Sequence, residues 1–517
     1  MRMFNLSLEE VRAVASASEK PFMLELYTGI KADTTPLKVY TALSCEYGNR
    51  YLLESVEKEK KRARFSFLGA NPECILTLNE RKIRIEGEKT PLTELLKANL
   101  NTVLDENGEI KEGMDLLAAL NAIFPAINYH SGKLFARQAF TGGLIGYIAY
   151  DIVYDCWLDI ESKYEQKLVP DMKFLVMTAS IIFDHREEMI YIMLTPLITP
   201  DLDLKTLYSD LEQKATELIR IIEASSTIPE LEPTLDNRSD LLPESTSNMS
   251  RDEYERSVKI AKKHILDGDI FQVVLSRLRR VKVSSSPLKI YKALRRINPS
   301  PYMYLFEFDG ISIAGASPET LLTVHDGRVI TNPIAGTCPR GRDAREDNEL
   351  AESMLSDEKE CAEHVMLVDL GRNDVRMVSE PGSVRVDDFM SVIRYSHVQH
   401  IESTVSGVLR SECTPFDATR AIFPAGTLSG APKIRAMEII DKLEKGSRGV
   451  YGGGIGYYTW DGDADFAIAI RTIVMRDGVA YIQAGAGIVA DSDPEREFYE
   501  TERKMEAMLR AIATVEA

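Results

Sequence analysis

Hydrophobic positions along the chain follow two rhythms, a helical one of about 3.6 residues and a strand-like one of about two. LEEVRAVASA predicts a helix over 8–17, and a longer amphipathic stretch predicts another over 204–224. RYLLESVE and SIIFDHREEMIYIML are strand-like runs. The pattern then lapses over 224–249, where Ser, Thr, Pro and acidic residues predominate and no periodicity survives, as in a linker. Beyond it, SRDEYERSVKIAKKHILDGD opens with Ser250 and Glu253 three residues apart, a capping-box spacing. Val258, Ile260, Ala261 and Ile265 follow at helical intervals, so this helix is expected to end near Gly268. IFQVVLSRLRRVKV and YMYLFEFDGISIAGA read as strands. Further helices are expected over 348–370, 432–445 and 494–513, and strands over 328–333, 396–407, 450–459, 465–475 and 479–484. That irregular alternation predicts an α+β fold rather than a doubly wound sheet. No repeat of fixed period is visible. The division expected is an N-terminal region, 1–223, a linker, 224–249, and a catalytic domain, 250–517.

Composition narrows the class. Hydrophobic residues make up 44% and charged residues 27% of 517, the profile of a globular protein with a sizeable core. No apolar run is long enough to span a membrane, and the N-terminus lacks an apolar signal core, so a cytoplasmic location is expected. The six cysteines, at 45, 74, 156, 338, 361 and 413, form no C-x-x-C pair, which argues against a zinc knuckle or a disulfide framework. With 62 basic and 80 acidic residues the net charge is −18, which disfavours nucleic acid or a membrane surface as partner. An anionic substrate would need local arginines or a metal.

Several segments could carry chemistry. TNPIAGTCPRG, followed by Arg342, holds two prolines around a Gly-Thr pair, but lacks phosphate-loop spacing. DEKECAEHVMLVDLGRND puts Glu360, Glu363 and His364 on neighbouring helical turns, without the spacing of a zinc protease. DSDPEREFYETERKMEAML aligns Glu497, Glu500 and Lys504. Carboxylates from two such helices would suit Mg²⁺, although alone the first segment reads more readily as a solvated acidic face and the second as a salt-bridged surface helix. YIQAGAGIVADSDPE nominally satisfies G-x-G-x-x-A, but Pro494 delays the helix that a dinucleotide site requires. A close backbone approach to a small ligand is the better reading of its glycines. FPAGTLSGAPKIRAMEII offers either an anion site at a helix start, near Lys433, or simple capping by Thr427 and Ser429. YGGGIGYYTWDGDADFAIAIRT reads as a hairpin whose Tyr451 and Arg471 could jointly hold a carboxylate.

Taken together, FQVVLSR, GASPE, PIAGT, ECAEH, FPAGTLSGAPK, YGGGIGY, IAIRT and AGAGIVADSDPE resemble the chorismate-utilising enzymes. The N-terminal YLLESVE and RARFSFLG extend the likeness across most of the chain. The resemblance implies a large α/β sandwich with antiparallel sheets at its centre, helices outside and a cleft between the sheets. It implies that Glu363 and Glu500 hold Mg²⁺ against the ring carboxylate of chorismate. Gly336, Thr337, Gly485, Ala486, Gly487 and Lys504 are then expected to bind substrate, and Tyr451 and Arg471 the enolpyruvyl carboxylate. Glu319 is the expected general acid at the departing C4 hydroxyl, with His400, Thr427 and Gln272 about the reacting face.

Two positions sort the family's members. Relatives that add water carry a lysine base where Gln272 stands, and aminodeoxychorismate synthases carry a lysine nucleophile where Ala335 stands. Both differences favour direct addition of ammonia, giving anthranilate and pyruvate in tryptophan biosynthesis, with aminodeoxychorismate formation the alternative. A scaffold that had lost its chemistry would not need Glu319, Glu363, His400, Arg471 and Glu500 together. No G-x-C-x-G glutaminase signature is present, so the resemblance implies a partner glutamine amidotransferase subunit, in a heterotetramer. Ser55, Pro301, Tyr302 and Met303 match the family's tryptophan-inhibitor site. Cys338 departs from the family's usual arginine.

Overall fold

A computed structural model describes residues 2–56, 64–124, 127–160, 163–164, 167–229, 242–395 and 398–516. Residues 230–241 of the expected linker, and the first two residues of the strand expected over 396–407, lie outside them.

Two large antiparallel sheets face one another. Gln272–Lys282 pairs with Val479–Ile488, and the sheet continues through Thr472–Arg476, Ile311–Ser317, Tyr302–Phe308 and Arg50–Glu54. The other sheet runs from Ile334–Pro339 through Val398–Val408, Arg328–Thr331, Thr320–His325, Ala464–Ile468 and Gly454–Thr459 to Gly143–Ile148. Strands from either side of 224–249 therefore share both sheets. Tyr51, Tyr304 and Phe306 of the first sheet pack against Ile145, Tyr147 and Tyr457 of the second. Each outer face is covered by helices over its own apolar cluster. Sheet-on-sheet packing with helices outside is the sandwich expected. No helix among the described residues is long and apolar enough to cross a membrane.

Local signals account for most boundaries. Ser250 and Glu253 form a reciprocal capping box, and the helix Arg251–Leu266 stops two residues before Gly268, which adopts φ +82°. Two expectations need correction. The single helix over 348–370 is two, Ala344–Leu355 and Glu358–Arg376. Asp357 ends the run, because its carboxylate accepts from the backbone N–H groups of Lys359 and Glu360 and starts a second helix. The strand over 465–475 is also two, Ala464–Ile468 and Thr472–Arg476, in different sheets. Arg471 lies between them at φ +50°, a conformation that no strand accommodates.

The glycine-lined strand Gly454–Thr459 shows why its composition is restricted. A Cβ on Gly456 would stand 1.9 Å from the Asp465 carbonyl oxygen on the paired strand. Gly456→Ala is expected to destabilise the fold by about 3 kcal/mol or more. Urea unfolding checks this, and a loss under about 1 kcal/mol would contradict it.

Candidate active site

The strand Thr320–His325 begins immediately after Glu319, whose carboxyl is 8% exposed. Burial raises its pKa from 4.5 to about 7, against the opposing pull of Thr427, Arg471 and Lys504. Thr427 Oγ1 donates to Glu319 Oε1 at 2.9 Å, from the loop after the helix Pro415–Ile422. The carboxyl therefore keeps its proton near neutrality although two cations lie within range.

The PIAGT segment forms the strand Ile334–Pro339 opposite His400. Gly336 takes φ +64°, and its carbonyl accepts from His400 Nδ1 at 2.9 Å, while Thr337 Oγ1 lies 3.0 Å from the same nitrogen. A carbonyl can only accept, so Nδ1 carries the proton and Nε2 presents a lone pair. His400 Nε2 is buried without a partner among the described residues. Burial lowers the imidazole pKa to about 4, so it is neutral.

The carboxylates expected to hold metal meet donors from two elements, the strand bearing Gln272 and the C-terminal helix bearing Lys504. Gln272 Nε2 donates to Glu363 Oε1 at 3.2 Å, and Lys504 Nζ lies 2.8 Å from Glu500 Oε1 and donates to the Gly485 carbonyl at 3.1 Å. Glu360, beside them, has its pKa raised first by burial and then by the charges of Glu363, Asp357 and Glu500. Among the described residues no group of three or more metal-ligating side chains closes on a point. Two carboxylates whose other ligands must be water and substrate oxygens fit Mg²⁺, a hard cation that keeps much of its hydration. His364 Nε2 lies 2.6 Å from Ser403 Oγ, and its Nδ1 is buried without a partner among the described residues.

Tyr451 and the glycines of Val479–Ile488 complete the wall. A Cβ on Gly485 would stand 2.8 Å from Tyr451 Oη, and one on Gly487 2.7 Å from Gln272 Nε2. Ala486 sends its methyl into the apolar core on the opposite face. Desolvation lowers the pKa of Arg471, and its guanidinium makes no hydrogen bond or ion pair among the described residues. A non-glycine residue at positive φ with an unanswered guanidinium is the kind of strain that concentrates at binding sites. On the far edge, Ser55 directly follows Arg50–Glu54, whose Glu54 pairs with Met303; Pro301 and Tyr302 adjoin it. Tyr302 Oη reaches Thr320 Oγ1 at 3.0 Å and Asp465 Oδ1 at 3.1 Å.

Other residues serve differently from what the motifs suggest. Arg340 pairs with Asp347 at 3.1 Å and Arg342 with Glu346 at 2.9 Å, so the arginines after PIAGT hold the next helix. Lys433 does not wait at a helix start for an anion; it is buried on Asp374. Tyr395 stands with its ring 5.7 Å from His400, and no motif announced it. Nor did any announce Asp151, which accepts from Ser447 Oγ and from the backbone N–H groups of Arg448 and Gly449, just ahead of Tyr451.

The raised pKa of Glu319 couples to stability. Its protonated form favours the folded state fully below 4.5, and that contribution is lost as pH rises through about 7. Between about pH 5 and about pH 8 the native chain is expected to lose about 3 kcal/mol relative to Glu319→Gln, read from urea unfolding at each pH. Parallel profiles for the two would contradict the buried, protonated carboxyl.

Known proteins resemble this chain in sequence and fold. Residues 48–510 match the family described as chorismate binding enzyme. Anthranilate synthase component 1 of Haloferax volcanii is 44% identical over 98% of this chain and 97% of that protein. The namesake of Aquifex aeolicus is 41% identical over 99% and 98%. The crystal structure of anthranilate synthase component I from Streptococcus pneumoniae TIGR4 aligns with a TM-score of 0.70 at 36% identity, covering 88% of this chain and 94% of that one. The menaquinone-specific isochorismate synthase of Escherichia coli, at 17% identity and TM-score 0.64, shares the fold. The chain belongs to the chorismate binding enzyme family.

Proposed function

We propose that the chain converts chorismate and ammonia to anthranilate, pyruvate and water, as the large component of an anthranilate synthase in tryptophan biosynthesis. The observation that carries this is the buried Glu319 carboxyl, its pKa raised to about 7, held by Thr427 within electrostatic reach of the unanswered guanidinium of Arg471. The names of the full-length relatives support it.

In this reading Arg471 and Tyr451 grip the enolpyruvyl carboxylate, and the Gly336–Thr337 and Gly485–Gly487 backbones approach the ring carboxylate. Glu363 and Glu500 would hold Mg²⁺, whose charge when bound offsets that carboxylate. Glu319 gives its proton to the C4 hydroxyl, which departs as water while ammonia adds at C2. Gln272 Oε1, buried without a partner among the described residues, accepts a hydrogen bond from the incoming ammonia, because the amide's N–H side is committed to Glu363. In this reading the lone pair on His400 Nε2 takes the C2 proton, and loss of that proton with pyruvate makes the ring aromatic. Ala335 offers no nucleophile for the covalent route, which counts against aminodeoxychorismate formation. Ammonia would come from glutamine by way of a partner amidotransferase, in a heterotetramer.

The purified chain with chorismate, Mg²⁺ and ammonium is expected to yield fluorescent anthranilate and pyruvate in equal amounts. Glu319→Gln is expected to slow turnover by about 10²- to 10⁴-fold. An amino-ring product without pyruvate would select the alternative, and no turnover with the partner added would sink both readings.

Tryptophan feedback is part of the same proposal, supported by the adjacency of Ser55 to Pro301–Met303. Tryptophan is expected to bind in calorimetry and to suppress anthranilate formation, and Ser55→Phe to weaken that binding about tenfold or more, at least about 1.4 kcal/mol. Inhibition unchanged in Ser55→Phe would move the inhibitor elsewhere.

A further inference from the structure

Lys433 is 9% exposed, and its ammonium has two partners, Asp374 Oδ2 at 2.8 Å and the Ile422 carbonyl at 2.9 Å. Ile422 ends the helix Pro415–Ile422, and Lys433 starts the helix Lys433–Leu443. One ammonium thus closes both ends of loop 423–432 and ties them to Glu358–Arg376, the helix that also carries Glu363. The loop is seated on that helix at a second point. A Cβ on Gly426 would stand 2.0 Å from Leu370 Cδ2, so the backbone beside Thr427 lies directly on the helix side chain. Asp374 and Glu319 line the same cavity of about 30 Å³, with Thr427 and Gly426 between them.

Stability explains this pair poorly. Desolvating an ammonium and a carboxylate consumes most of their attraction, and well-packed apolar residues in such places are commonly as stable or more so. What an apolar pair does not supply is a directional tie to the Ile422 carbonyl. The hydroxyl of Thr427 reaches Glu319 only if the loop backbone is set to within a fraction of a hydrogen-bond length.

We infer that the Lys433–Asp374 pair is a positioning device for the catalytic acid, fixing loop 423–432 so that Thr427 meets the Glu319 carboxyl. The inference rests on the reading of Glu319 as general acid. The groups that act on Glu319 are Thr427, Arg471, Lys504 and Glu402, and of these only Thr427 belongs to the tied loop. Thr427 donates to the carboxylate and so favours ionisation; losing that bond keeps the acid protonated to higher pH.

The test uses the full chain, assayed with chorismate, Mg²⁺ and ammonium across neutral and alkaline pH. Lys433→Met is expected to lower kcat about a hundredfold while KM for chorismate changes by less than about threefold, since a displaced catalytic contact costs rate more than binding. The alkaline limb of kcat moves to higher pH. Thr427→Val moves it the same way, and combining the two variants adds little further. If Lys433→Met leaves Asp374 uncompensated and unfolds the chain, Lys433→Met with Asp374→Leu removes both charges and decides the matter. A folded double variant with the native limb and kcat would overturn the inference, as would effects of Lys433→Met and Thr427→Val that are fully additive. Glu319→Gln is assayed in parallel: full turnover there sinks the general-acid reading itself, whereas a dead Glu319→Gln beside a native-like double variant sinks only the positioning role.

Discussion

A carboxyl group that keeps its proton near neutral pH beside two cations is an unstable compromise, and much of the cleft is arranged about it. Arg471 and Lys504 both draw the proton off Glu319; burial holds it on, and burial prevails. That balance survives only if neither cation closes into an ion pair with Glu319. Lys504 is drawn to Glu500 and the Gly485 carbonyl. Arg471 is held by its backbone, at a positive φ between two strands that diverge into opposite sheets. Thr427 contributes an oriented dipole without a charge, which fixes the carboxyl with less disturbance of its proton than a cation would cause.

The supports for this compromise come from the whole length of the chain. Asp151, from the N-terminal region, is fully buried and carries a raised pKa, yet its oxygens collect the donors of the turn ahead of Tyr451. Arg448 in that turn pairs with Glu444 and donates to the Leu428 and Val274 carbonyls, while its guanidinium lies over the rings of Tyr150 and Tyr451. Glu444 in turn accepts from the backbone and hydroxyl of Ser276. One buried ion pair thereby registers the loop bearing Thr427, the strand bearing Gln272 and the turn bearing Tyr451. Such networks specify geometry more than they stabilise it.

What the sequence disclosed and what it withheld divide along a physical line. Contacts that depend on neighbours in sequence were legible: the Ser250–Glu253 box, the stop at Gly268, the hairpin after Tyr451. The residues of the candidate site stand out in the sequence as motifs, and their roles come from the family resemblance rather than from spacing. Asp357 shows a weaker case, since an N-cap inside an otherwise helical run gives no break in hydrophobic rhythm. Arg471 gives none either, because nothing in AIAIRTIVM marks a left-handed residue. Lys433 was misread for a deeper reason. A lysine at a helix start is normally solvated, and only Asp374, 59 positions away, draws it inward. Asp151 belongs with it, as a residue whose partners lie far along the chain.

The charge of the molecule sharpens the argument for the cleft. At −18, the long-range field repels an anionic substrate, so attraction has to be generated locally, where water is excluded and each charge counts for more. Most of the cleft's charged neighbours are spoken for: Arg340 by Asp347, Arg448 by Glu444, Lys433 by Asp374. Arg471 is not, and burial makes its guanidinium the harder to leave unanswered. Desolvation already borne in the folded chain need not be met again when a carboxylate arrives, so the cost of preparing the site is carried by the fold rather than by binding. The burial that raises the pKa of Glu319 serves the same end, because a fully ionised carboxylate in that place would answer Arg471 and close the site against its anion.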